Sequence, residues 1–143
     1  MQQYQRSVQA FDDTVGRRLG LGPTDLRCLD WLVDGPKSAG QLSSATGLRP
    51  AATTALVDRL EKRGLVRRTR SEADRRTVLV EMTELGQART WEAYGPLVRD
   101  GQPMLDELSV DQLEFMADFL RRITALTNTR RGLLAEQAPM DDR

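Results

Sequence analysis

Nine basic side chains fall within one stretch near the middle of the chain: Arg49, Arg59, Lys62, Arg63, Arg67, Arg68, Arg70, Arg75 and Arg76, against Asp58, Glu61, Glu72 and Asp74 over residues 49–76. That stretch carries a net charge of +5 while the chain as a whole, with 21 basic and 21 acidic side chains, is neutral. Clustered guanidinium groups neutralise phosphates, and a basic segment inside an acidic frame confines that attraction to one surface. The chemistry expected of these residues is the binding of a polyanion. Catalysis lacks its usual parts. The chain has no His, so Ser38, Ser43 and Ser44 lack the base that activates a serine nucleophile, and a transition-metal site would rest on carboxylates alone. Asp12 and Asp13 are helix neighbours facing different directions. The glycines of "GRRLGLG" follow no strand and lack the spacing of a phosphate loop. The single cysteine, Cys28, cannot close an internal disulfide; among Leu26, Leu29 and Leu32 it is expected to be buried and inert. No catalytic residue, metal or cofactor is expected, and the chain does not read as an enzyme.

Composition narrows the class further. With 39% hydrophobic, 29% charged and only 5% aromatic residues over 143 positions, the chain suits an ordinary single globular fold with a core of Leu, Val and Ala. No run approaches the ~18 apolar residues of a membrane span, and "MQQYQRSVQAFDD" has neither the basic start nor the apolar centre of an export signal. A cytoplasmic protein with no membrane partner is expected.

The elements that must position the basic stretch can be read from periodicity. Tyr4, Val8, Phe11, Val15 and Leu19 recur at helical spacing, predicting a first helix from Gln2 to Leu19 that Gly20 and Gly22 end. A second, short helix follows with Thr24 as cap and a stripe of Leu26, Leu29, Leu32 and Val33. Ser38 with Gln41 three residues on forms the capping-box pattern of a two-turn third helix stopped at Gly47. Pro50 suits the first position of a fourth helix, because its missing donor would be unpaired there. Ala52, Thr53, Leu56, Val57 and Leu60 form its inward side and leave Ala51, Thr54, Ala55 and Asp58 outside. Two short helices around "TGLRP" make a helix-turn-helix whose second helix reads DNA. "LVRRTR" and "TVLVEMT" alternate as two strands of a hairpin, with Arg70, Arg75 and Arg76 towards its tip. Helical period returns from Thr83, with Leu85, Ala88, Trp91 and Leu97 on one side and a bend expected at Gly95 and Pro96. The last helix is capped by Ser109 with Gln112 and striped by Leu113, Met116, Phe119, Leu120, Ile123 and Leu126.

The fold class is therefore mainly α with a small β-hairpin wing, in the order of four helices, two strands and two helices. Residues 1–143 read as one chain organised as dimerisation helices over 1–20 and 95–136, a winged helix-turn-helix over 24–83, and a connecting part of the fifth helix over 84–94. The terminal stripes lack partners locally, so a second copy of the chain is expected to cover them.

The run "GLVRRTRSEADRRTVLVEMTELGQ", with "VDRLEKRGLV" before it and "SAGQLSSATGL" further upstream, resembles the multiple antibiotic resistance regulator (MarR) family. The resemblance is contiguous over roughly residues 24–90. It implies a homodimer whose terminal helices interlock and whose two winged domains meet successive major grooves of a pseudo-palindromic operator in double-stranded DNA. It also implies that Asp74 braces Arg76, which enters the minor groove beside Arg75. A guanidinium in a narrow groove reads width more than sequence. The DNA-binding set is Ser38, Arg49, Pro50, Ala51, Thr54, Ala55, Arg63, Asp74, Arg75 and Arg76. Two features depart from the family pattern. Arg49 stands where Ser or Thr often caps the reading helix, and the small side chains of Ala51, Thr54 and Ala55 offer thymine methyls and phosphates their contacts without a bidentate base reader.

The expected function is a transcriptional repressor released by a small-molecule effector. The resemblance implies a small aromatic or phenolic anion, for which Phe11, Val15, Trp31 and Trp91 are the candidate lining. Two alternatives remain: a thiol redox sensor acting through Cys28, as in some relatives, and a winged helix used for protein contact.

Overall fold

The structure, a computed structural model, describes residues 1–71 and 76–135. Among them are six helices and three short strands: α1 (Gln2–Leu19), α2 (Pro23–Val33), β1 (Lys37–Ser38), α3 (Ala39–Thr46), α4 (Pro50–Lys62), β2 (Val66–Arg70), β3 (Val78–Met82), α5 (Glu84–Asp106) and α6 (Val110–Ala135). The chain divides into two compact units, Met1–Pro96 and a second that begins at Leu97. No helix among the described residues is long and apolar enough to cross a membrane.

Helix boundaries follow local chemistry. At the start of α3, Ser38 Oγ accepts from the Gln41 N–H at 3.2 Å and Gln41 Oε1 accepts from the Ser38 N–H at 2.8 Å. Ser109 and Gln112 repeat the reciprocal pair at α6, at 3.3 and 2.8 Å. The start of α2 differs from expectation. Pro23 is its first residue, and the Asp25 carboxylate, not Thr24, accepts the Gly22 N–H at 2.9 Å, because a carboxylate three residues into a helix reaches back to the donor before it.

The core of the first unit is aliphatic. Leu29 and Leu32 of α2, Leu42 of α3, Leu56, Val57 and Leu60 of α4, and Leu65, Val66, Val80 and Met82 at the sheet form one buried cluster with Cys28. Burying each such side chain contributes roughly 1.5–3 kcal/mol, so the helix-turn-helix is held by its own core. On α4 the buried set is Thr53, Leu56, Val57 and Leu60; Ala52, expected inside, is exposed. On α1, Val15 is buried within the unit and Phe11 meets the Tyr94 ring edge-on with centroids 5.6 Å apart. Those two positions of the first stripe find partners within one chain, while Tyr4 and Val8 stay exposed.

The hairpin expected from sequence is part of a three-stranded antiparallel sheet of order β1-β3-β2. β2 pairs with β3 from Val66↔Met82 to Arg70↔Val78, and β1 adds Lys37↔Val80 and Ser38↔Leu79 on the other edge of β3. Thr83 ends the sheet and caps α5: its Oγ1 donates to the Gly64 carbonyl at 2.5 Å and accepts from the Gly86 N–H at 3.0 Å. Gly86 is buried where α5 crosses the backbone at Leu65, and a Cβ there would collide with the Leu65 carbonyl. The helical pattern of α5 continues through Gly95 and Pro96, and the Trp91 ring lies over Gly95, where a Cβ would stand 2.9 Å from Trp91 Cε2.

Candidate nucleic-acid interface

The residues expected to contact DNA lie mainly on two elements of the first unit: α4, expected to be the reading helix, and the hairpin that follows it. The turn into α4 is fixed by Gly47, whose φ of +73° suits a residue without Cβ, and by Ser43 Oγ, which donates to the Leu48 carbonyl at 2.5 Å. Arg49 stands at the N-cap without a side-chain cap bond, and Pro50 is the first helical residue. The first-turn donors of α4 thus have no side-chain cap. Arg49, Pro50, Ala51, Thr54 and Ala55 are all exposed. Thr54 Oγ1 donates to the Pro50 carbonyl at 3.1 Å, and its oxygen keeps acceptor capacity. Ser38 is half-buried and serves as the cap of α3.

Four of the nine basic side chains of this stretch are engaged inside the unit. Arg59 donates to Asp25 at 2.5 Å. Arg63 donates to the Gly20 and Leu19 carbonyls at 2.5 and 2.6 Å, placing a cation at the negative end of α1. Arg67 pairs with Glu81 across the sheet at 2.6 Å. Arg68 of β2 bonds Asp58 at 2.5 Å and also Glu61, and its pKa is raised, chiefly by the hydrogen bond to Asp58. α4 is thus tied to α2, to α1 and to the sheet by three different arginines. Arg63, expected at DNA, has its guanidinium at the end of α1. Arg49, Lys62 and Arg70 form no ion pair with a described residue.

The hairpin extends one hydrogen bond past its strands, from the Ser71 N–H to the Thr77 carbonyl at 3.0 Å. Arg76 is exposed in the turn before Thr77. Asp74 and Arg75 lie outside the described residues.

The four residues expected to line an effector crevice do not form one aromatic group. Phe11 has Tyr94 as its ring partner, Val15 is buried, and Trp31 and Trp91 are exposed. Tyr94, which sequence reasoning missed, donates to Asp12 at 2.9 Å; its pKa is raised by burial and then by that carboxylate. Nothing local signals a pair 82 positions apart. Asp25, also missed, had a readable signal in its place three residues into α2. Cys28 is fully buried, and burial, reinforced by the Asp25 charge, pushes its thiol up to about 11.

Comparison with known proteins agrees with this architecture. A model of the MarR family matches residues 19–77. The chain is 36% identical over 111 residues to the HTH-type transcriptional regulator YcgE of Bacillus subtilis, covering 77% of this chain and 72% of that one. It is 38% identical over 79 residues to the HTH-type transcriptional repressor NicR of Pseudomonas putida, covering 55% and 47%. Among solved structures, the transcriptional regulator BldR of Sulfolobus solfataricus aligns with a TM-score of 0.58 at 31% identity over 87% of this chain and 88% of that one. A MarR family regulator of Silicibacter pomeroyi aligns with a TM-score of 0.60 at 25% identity over 85% and 84%. Helix-turn-helix, wing and these relatives together give one assignment: the chain belongs to the MarR family of DNA-binding transcriptional regulators.

Proposed function

We propose that the chain is a cytoplasmic repressor that binds a pseudo-palindromic operator as a homodimer and is released by a small-molecule effector. The observation that carries the DNA-binding part is the exposed face of α4, small side chains bounded by Arg49, beside a hairpin carrying Arg70 and Arg76. Small groups let the helix approach base edges closely, and the arginines supply phosphate and minor-groove attraction. Arg76 and its neighbours Asp74 and Arg75 are the wing contacts, and Ala51, Thr54 and Ala55 the major-groove contacts. Arg63 acts at one remove, by holding the end of α4 on α1.

Dimerisation is supported by α6, where no described residue is buried. Leu113, Met116, Phe119, Leu120 and Leu126 are exposed in the single chain, and an apolar stripe of that length finds its partner in a second copy. Repression is the reading that the name of the Pseudomonas relative supports. The thiol alternative finds no support at Cys28, since reactivity needs an accessible thiolate. A protein-contact role would leave the charge pattern without a phosphate partner.

Selection of bound duplexes from a random pool, followed by titration at two salt concentrations, tests the proposal. A regulator yields a two-fold related site and loses affinity steeply with salt. A chain that selects no duplex, or binds none at low salt, is not a DNA-binding regulator.

A further inference from the structure

A cavity of about 330 Å³ lies within the first unit, between the ends of α1 and α4 and the start of α5. That volume is in the range of roughly 300–1,000 Å³ typical of small-molecule sites. Its apolar wall is made of leucines, Leu29 and Leu65 of the core among them, and its charged lining is Arg18, Arg63 and Arg89; no aromatic ring and no carboxylate lines it. Arg18 and Arg89 share a single carboxylate, Glu92, at 3.5 and 3.3 Å. Arg63 has only neutral carbonyls as partners, those of Leu19 and Gly20. Three cations over one anion leave a positive surplus at an aliphatic hollow.

We propose that this cavity binds an aliphatic monocarboxylate of medium chain length, its head group on the three arginines and its chain among the leucines. A carboxylate accepts charge-assisted bonds from a guanidinium that are stronger than those a carbonyl accepts, so the bound head group competes for Arg63. Occupancy draws Arg63 off the end of α1 and loosens the hold on the C-terminal end of the reading helix, which lowers affinity for DNA. This second part rests on the regulator reading given above; the binding site itself does not.

The test uses the full chain and octanoate, titrated calorimetrically below its micelle-forming concentration, with hexanoate and octan-1-ol as controls. The expected result is saturable binding of octanoate. Hexanoate should bind on the order of tenfold more weakly, since each lost methylene costs about fourfold, and octan-1-ol at least tenfold more weakly. Arg18→Gln/Arg89→Gln, at exposed positions, and Leu85→Trp, which fills the cavity, should each reduce octanoate affinity at least tenfold, with the far-ultraviolet spectrum of the parent. No saturable binding, binding indifferent to the head group, or binding that survives both variants overturns the site. In mobility-shift titrations octanoate should lower DNA affinity, and saturated protein that binds DNA as the free protein does overturns the coupling through Arg63. Calorimetry without DNA decides the site alone, so a failure of the regulator reading cannot be mistaken for a failure of the site.

Discussion

Arg59 reaches from the third turn of α4 to the carboxylate of Asp25 in the first turn of α2, at 2.5 Å, and the carboxylate is buried while the guanidinium is half exposed. Asp25 also accepts the Gly22 N–H, so one side chain both starts α2 and holds the reading helix against it. Arg59→Ala leaves the carboxylate with its backbone bond alone. The exposure of Arg59 discounts the loss expected of a fully buried pair, and the variant should be destabilised by about 1–2 kcal/mol. Asp25→Ala should cost about the same or more, because the helix start is lost as well. The midpoint of urea unfolding checks both, and unchanged midpoints would mean the pair carries no stability.

Cys28 makes stability depend on alkaline pH. Its thiol rises from an ordinary 9.0 to about 11 on folding, so the unfolded chain loses this proton first. The contribution is full below pH 9 and falls as pH rises towards 11, by roughly 2–3 kcal/mol in all. Cys28→Ser should lose roughly 1–2 kcal/mol at neutral pH for placing a hydroxyl in an apolar site, keep DNA binding, and unfold with a flatter pH dependence in that window. Urea unfolding of both proteins at pH 7.5 and 10.5 provides the comparison; parallel slopes would refute the assignment.

Gly86 brings α5 against the backbone at Leu65, just before β2. Gly86→Ala should destabilise by about 2–3 kcal/mol, because the obstacle is the Leu65 backbone and no side-chain rotation relieves it. A thermal midpoint at or above that of the parent would show that α5 can shift at no cost.

At the wing, Arg76→Ala should reduce operator affinity by on the order of 2–5 kcal/mol for the dimer, most on A·T-rich flanks, with folding unchanged. Thr54→Ala should instead alter preference among half-site bases with little change in salt dependence. Titrating each variant against the selected operator and a flank-swapped version separates the two. An Arg76→Ala protein that folds, dimerises and binds as the parent does would exclude the wing from docking.

Phe119→Asp should abolish both self-association and operator binding, because a carboxylate buried without a partner costs several kcal/mol, comparable to a small interface. Sedimentation at micromolar concentration reads the first and mobility shift the second. A parent protein that sediments as a monomer would sink the dimer outright.

What sequence revealed was what is local. The boxes at Ser38 and Ser109 span three residues, and the inward side of α4 repeats every turn, so both are legible apart from Ala52, a residue small enough to suit either face. β1 was not legible, because two residues have no period and Lys37–Ser38 becomes a strand only by pairing with β3. The partner of each cation was less legible. Counting cations over residues 49–76 measures potential for DNA, yet Arg59 and Arg63 find partners 34 and 43 or 44 positions earlier. Such pairings are set by how helices pack, which no spacing rule encodes. The Arg63 guanidinium lies at the end of α1 for that reason.

The division of labour along α4 bears on how such a protein changes over generations. Thr53, Leu56, Val57 and Leu60 hold the helix in the core, and Asp58, Arg59, Glu61 and Arg63 hold it to neighbouring elements. Ala51, Thr54 and Ala55 project from the unit, and only Thr54 among them makes a side-chain bond, to the backbone of its own helix. Substitutions at exposed helical sites of this kind usually change stability by less than about 0.5 kcal/mol. If these three side chains read DNA as proposed, a gene duplicate can exchange them for longer readers and acquire a new target site while its scaffold stays as it was.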